Sequence, residues 1–265
     1  MRLASSGRSR YGLRRLPSQR LYPPSTPVIA TRIALLLFLP SLALSLFWLG
    51  ARPDWGMAPA AVVGWYLADL LSGATHMYLD YRPCIPGVGL DRLFFYRGSR
   101  GSADYAALKN QIMARIGPFE RLVFDFKIHH PQPAALGRRS FLYLARSPAL
   151  FIALPLALAL NVACWAGKVP GWLGVGAAVL LFGGGLAQYF HGTLHREEAP
   201  WDTPWFLALP RRLGLLMTPE AHERHHATLT RDFSTTSGWS NPLLNLVFGA
   251  LRRRGMISPA GLEPT

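Results

Sequence analysis

The sequence predicts an all-α integral membrane protein, with four transmembrane helices and a cytoplasmic histidine-rich helical cap. Three observations lead there. Half of the 265 residues are apolar and only 16% are charged, a balance too poor in charge for a soluble domain of this length. Four apolar segments each approach the ~20 residues that cross ~30 Å of hydrocarbon. The basic residues gather on one side of those segments.

The elements follow in order. Residues 1–30 are rich in Arg, Ser and Pro and lack acids, which predicts a disordered basic tail or, in a eukaryote, an organellar transit piece. Residues 31–250 form the expected membrane domain, and 251–265 a C-terminal tail. The first span is Ile33–Gly50, without a charge. The second, Met57–Leu79, is broken only by Asp69 and His76. The third and fourth, Ala149–Ala166 and Val169–Phe190, are again uncharged. Pro40 and Pro155 kink their helices, which a bundle tolerates. Residues 81–148 read as short helices and loops over the membrane face. Trp201–Met217 mixes Trp, Leu and Arg in the manner of an interfacial segment.

Charge placement supplies the topology. Lys and Arg number seven in residues 1–32, eleven in 80–148 and eight in 191–265, against one each in 51–56 and 167–168. The positive-inside rule then places both termini and the long middle segment in the cytoplasm. A bacterial inner membrane is favoured, with an organellar membrane as the alternative. Core helices of a soluble protein would give no reason for basic residues to avoid two connections. The net charge of +14 is read as attraction to anionic headgroups. No zinc-knuckle, RNP-like or recognition-helix pattern accompanies it, so no nucleic-acid partner is expected. Cys84 and Cys164 share no CxxC context and suggest neither a disulfide scaffold nor a thiolate metal site.

All eight histidines fall at the cytoplasmic face of this topology. His76 closes the second span, and His129 and His130 lie in the middle segment. His191 and His195 follow the fourth span, while His222, His225 and His226 lie beyond it. If the fourth helix runs on, His191 and His195 sit one turn apart and can ligate one site together, a property that His222, His225 and His226 share. His225 and His226 diverge enough to serve neighbouring metals. Imidazole is the commonest neutral-pH metal ligand, and nitrogen-rich sites suit Fe, Zn or Cu. Eight ligands exceed the needs of one ion, so a pair of metals is the economical reading. Asp69, Gly73, His76 and Asp80 step by four, three and four along one helical face. Asp80 is expected as a support or ligand beside His76, and Asp69, deeper, to orient His76 or a water. Asp232 and Glu220 are further supporting acids or local caps. No HExxH is present, and iron at a lipid boundary suits oxygen activation against unactivated C–H bonds.

The blocks GWYLADLLSGATHMYLD (64–80), FKIHHPQP (126–133), QYFHGTLH (188–195) and AHERHHATLTRDFSTTSGWSNPL (221–243) resemble the Kua family of membrane lipid desaturases. That family includes plasmanylethanolamine desaturases, which form the vinyl ether of plasmalogens, and plastid phosphatidylglycerol desaturases. The resemblance covers roughly residues 57–250 in order. It implies a multispan protein with two iron ions bound by histidines, using O2 and electrons from a carrier such as cytochrome b5 or ferredoxin on a phospholipid substrate. Asp69, Ser72, Gly73, His76 and Asp80 match one block of the family pattern. His129 and His130 match its histidine pair, His191 and His195 its HxxxH, and His222, His225 and His226 its HxxHH. Thr236, Gly238, Trp239 and Asn241 match its closing segment. Lys127 and Ile128 replace a common Arg-Glu, Thr193 replaces a frequent aromatic, and Met77 and Tyr81 depart from a Trp-rich surround. A lipid hydroxylase on the same scaffold is the nearest alternative. A membrane metal transporter is disfavoured, because ligands of such proteins sit at mid-membrane on broken helices.

Overall fold

The structure, a computed structural model, describes residues 26–51, 53–196 and 203–264. The expected basic tail over residues 1–30 lies almost wholly outside them. The described residues are helical: α1 (Thr26–Gly50), α2 (Met57–Tyr81), α3 (Leu90–Phe94), α4 (Ala103–Met113), α5 (Pro118–Ile128), α6 (Pro133–Gly137), α7 (Phe141–Ala145), α8 (Pro148–Trp165), α9 (Gly171–Gly185), α10 (Ala187–Leu194), α11 (Trp205–Arg212), α12 (Pro219–Thr228) and α13 (Asn241–Arg253). A 3₁₀ turn follows at Pro259–Gly261.

Helices α1, α2 and α8 are long and apolar enough to cross a membrane, and α9 with α10 makes a fourth such element. That fourth element departs from the straight helix expected over Val169–Phe190. It bends by 48° between α9 and α10. The break follows Gly183-Gly184-Gly185, a run with the least helical preference of any residue but proline. Gly185 also lies where a Cβ would come within 2.9 Å of the Phe38 ring, so the bend sits at a close helix contact. The redirected α10 carries His191.

Small residues and a few polar atoms hold the spans together. Gly64 of α2 packs on the carbonyl of Gly176 in α9, where a Cβ would collide. Such close approach is how helices associate where no water drives them together. Between α1 and α8, Ser41 Oγ donates to the Ala157 carbonyl at 3.0 Å and Asn161 Nδ2 donates to the Ser41 carbonyl at 3.2 Å. Phe38, Leu42, Leu150, Ala153, Ala157 and Ala178 form the buried seam. Leu36, Phe47, Ile152, Val162 and Trp165 point outward and are exposed, as an acyl-chain solvent allows.

Two further clusters extend one end of α2. Leu79 packs with Cys84, Leu90, Leu93, Ile112, Val123 and Phe124 of the middle segment. Met77 and Tyr81 pack with Phe233 and Phe248, joined by Leu251, Ile257 and Leu262. Within residues 251–265, Leu251–Arg253 complete α13, and the turn at Pro259–Gly261 lies against α2 with Gly261 buried.

Candidate metal centre

The site begins with the end of α2. Asp69, Gly73, His76 and Asp80 are all buried on one face of that helix, as their spacing predicts. The histidine pair follows α5, a helix opened by Gly117 and Pro118, proline being suited to a first turn. His191 lies in the redirected α10 and His195 is its C-terminal cap residue. The last three histidines ride on α12. There Thr218 Oγ1 accepts from the Ala221 N–H at 3.3 Å, and Pro219 and Glu220 occupy the first turn.

These elements bring all eight histidines into one cluster. Ring centroids of His76 and His225 lie 4.7 Å apart, those of His129 and His191 4.8 Å, and those of His195 and His226 4.8 Å. His130 and His226 are half-buried and the other six are buried. The donors divide into two groups that could hold a metal ion: His129, His191, His195 and His222 in one, and His76, Asp80, His130 and His225 in the other. Within each group the donor atoms all lie within 4.8 Å of one another. His226 stands between them, its ring 5.0 Å from His129, 5.2 Å from His130 and 4.9 Å from His222.

Asp80 is the hub of the second group. Its Oδ2 is 3.3 Å from both His76 Nε2 and His225 Nε2, and its Oδ1 is 3.5 Å from His130 Nε2. Bonds of about 2.1 Å to a four-coordinate ion separate adjacent donors by about 3.4 Å, so these spacings suit the edges of a coordination shell. In the first group His191 Nε2 and His195 Nε2 are 3.1 Å apart.

The hydrogen bonds say which nitrogen is kept free. His76 Nδ1 lies 3.0 Å from the Phe233 carbonyl, His225 Nδ1 2.8 Å from the Arg231 carbonyl, and His129 Nδ1 contacts the Phe126 carbonyl. A carbonyl can only accept, so each Nδ1 carries the proton and each Nε2 is left with its lone pair. This is the usual outer support of a ligating histidine. Nε2 of His76, His129, His130 and His225, both nitrogens of His222 and His226, and both Asp80 oxygens have no hydrogen-bond partner among the described residues. So many buried polar atoms without partners are costly unless something binds them. Burial, reinforced by neighbouring imidazoles, lowers His195 to about 4 and His226 to about 2, and holds His129 and His222 well below the ordinary imidazole range. These rings are therefore neutral near pH 7, the form that binds metals. The residues fit bound metal.

Asp69, expected to orient His76 or a water, binds the loop that follows Phe233. Its Oδ1 accepts from Ser234 Oγ, from Ser237 N–H at 2.6 Å and from Gly238 N–H at 3.0 Å. Its Oδ2 accepts from Ser240 N–H at 2.9 Å and Ser240 Oγ at 2.6 Å. Asp69 thus gathers the loop 233–240, and that loop begins with the Phe233 carbonyl on His76. The link from Asp69 to His76 therefore runs through that loop's backbone. Asp232 is likewise local, with Oδ2 3.0 Å from Arg231 Nε and Oδ1 accepting from Asn245 Nδ2 at 3.1 Å. Glu220 stays in the first turn of α12.

Sequence reading missed the three carbonyls behind the histidines. The Arg231 carbonyl is placed by a turn in which Leu229 and Asp232 both adopt positive φ, 57° and 61°. Leucine rarely does so, and no residue type advertised it. The Phe233 loop had a signal in Gly73, whose missing side chain admits the Ser234 backbone; a Cβ would stand 2.9 Å from Ser234 Cα.

With the geometry in place, the comparison with known families is informative. A family model described as the lipid desaturase domain matches residues 116–252, just over half of the chain. The chain belongs to the lipid desaturase family. It is therefore an enzyme that acts on lipids. No curated protein and no solved structure matches the chain. Seven of the eight histidines lie within the matched lipid desaturase domain. His76 and Asp80 lie outside it, and the fold brings them to the other seven.

Proposed function

We propose that this lipid desaturase family member is an O2-dependent enzyme that introduces a double bond into the alkyl or acyl chain of a membrane phospholipid, using two iron ions. The observation that carries the reading is the pair of adjoining, buried, nitrogen-rich donor groups at one end of the spans. His76 and His191, from different groups, have ring centroids only 4.9 Å apart, so two ions held there would be neighbours. His129, His191, His195 and His222 would hold one and His76, Asp80, His130 and His225 the other, with His226 within reach of both. Imidazole with a single carboxylate suits iron better than calcium or magnesium.

Bound iron supplies, with O2 and two electrons from a carrier of the cytochrome b5 or ferredoxin type, the oxidising power to take two hydrogens from adjacent methylenes. The balance is one O2, two electrons and two protons consumed, with one alkene and two waters formed. The chain's own residues orient and exclude. The Phe233, Arg231 and Phe126 carbonyls fix the rings of His76, His225 and His129. The apolar spans admit an alkyl chain while keeping water away, and the basic face holds a phosphate headgroup at the cytoplasmic surface. The resemblance to Kua-type desaturases favours a vinyl ether as one form of the product.

Lipid mass spectrometry of cells with and without the gene tests this reading. Loss of two hydrogens in one phospholipid class is expected, and release of a long-chain aldehyde by mild acid identifies a vinyl ether. A gain of one oxygen instead makes the enzyme a hydroxylase, and unchanged lipids overturn the reading.

A further inference from the structure

Lys127 stands two residues before His129 and its side chain is fully buried. No carboxylate oxygen lies within salt-bridge distance of it among the described residues. Its Nζ instead donates to the carbonyls of Leu79 at 3.3 Å, Asp80 at 2.5 Å and Gly261. A lysine ammonium has three N–H donors and no acceptor, so all three are used. Two of the carbonyls belong to the last turn of α2, where the helix leaves its acceptors unsatisfied and a cation is favoured. The third comes from the C-terminal turn. That turn is built to come close. Gly261 lies against the Tyr81 carbonyl where a Cβ would collide, and its Cβ position is 3.2 Å from Tyr81 Cα. Ser258 Oγ accepts from the Ala260 N–H at 3.3 Å to shape the turn. Ile257 and Leu262 pack onto Met77, Tyr81, Phe233 and Phe248.

From this we infer that Lys127 and the C-terminal turn at Pro259–Gly261 together form a positioning device for the Asp80 group of the metal centre. The inference rests on the metal-centre reading above and extends it to Lys127 and to a turn beyond the matched family domain. Lys127 fixes α5 to the end of α2, and so fixes His130 relative to Asp80. The turn closes over the same helix end and holds Lys127 in place. In the other group only His129 follows α5, while His191, His195 and His222 come from α10 and α12, whereas Lys127 grips the backbone of Asp80 itself. The device therefore acts on one group more than on the other.

Cobalt(II) titration of the purified full-length protein, followed by visible absorption and helical circular dichroism, tests this. The unaltered protein should bind two cobalt ions; binding none overturns the metal-centre reading itself. In Lys127→Met and in Gly261→Ala, one ion should bind about ten- to a hundredfold more weakly, the effect of losing an outer support. The second ion and the helical signal should be unchanged. Two ions bound as tightly as before in both variants overturn the inference while leaving the metal centre standing. Equal weakening of both ions, or loss of helix in both variants, assigns Lys127 and Gly261 to general folding and overturns it as well.

Discussion

Helices α1 and α2 are the same length, 25 residues each, and both are long and apolar enough to cross a membrane. They use their buried faces differently. The buried polar atoms of α1, at Thr31, Ser41 and Ser45, are hydroxyls that can satisfy themselves on nearby carbonyls. Helix α2 buries Asp69, His76 and Asp80. Acidic and imidazole side chains inside a span are expensive and are kept for function. One helix is a wall, and the other is half wall and half candidate metal centre. The comparison teaches that the outward, lipid-facing sides of both are interchangeable in kind, whereas the inward side of α2 is specified residue by residue.

The strongest way to break that contrast is to remove a donor from the functional end. Asp80→Ala and His225→Ala should each reduce lipid desaturation to background while the protein still inserts in the membrane, checked by product analysis and membrane fractionation. Retained activity in either variant contradicts the role of the Asp80 group. Next is Asp69→Asn, which keeps the size but weakens the five contacts to loop 233–240. We expect about 3 kcal/mol of lost stability by thermal unfolding in detergent, and activity at least about tenfold lower, because the Phe233 carbonyl shifts from His76. Smaller still is Gly73→Ala. Its Cβ would press on Leu244 and the Ser234 backbone, costing about 1–3 kcal/mol and moving the same loop. If Asp69→Asn lowers activity and Gly73→Ala leaves stability untouched, the loop yields more easily than the packing indicates. The smallest effect belongs to α1. Leu36 is 72% exposed, so Leu36→Ala should change stability by about 0.5 kcal/mol or less with activity intact. A large loss there erases the distinction between the two helices.

Much of this was legible in the sequence, for a physical reason. Hydrocarbon demands long uncharged helices, so four apolar segments announce themselves, and α2 and α8 fall within two residues of the expected boundaries. Histidines are scarce enough that eight on one side of a topology form a pattern without any structure. Asp69, Gly73, His76 and Asp80 share a face because a helix repeats every 3.6 residues. What escaped were interactions made by backbone. The Phe233, Arg231 and Phe126 carbonyls behind the rings have no residue type to mark them. The bend between α9 and α10 was written in Gly183-Gly184-Gly185, yet glycine is also common in straight spans. The division of histidines into two groups needed three dimensions, since His222 and His225 are neighbours in sequence and part ways in space. Lys127 read only as a departure from a pattern, and its three carbonyl partners lie 47 to 134 residues away.

The central claim is that α2 joins the matched domain to complete a centre for two metal ions. The most direct measurement is the metal content of the purified full-length protein beside that of His76→Ala. Two iron ions per chain are predicted for the unaltered protein, and one for the variant. A single zinc ion with no iron, or an unchanged iron count in His76→Ala, contradicts the account.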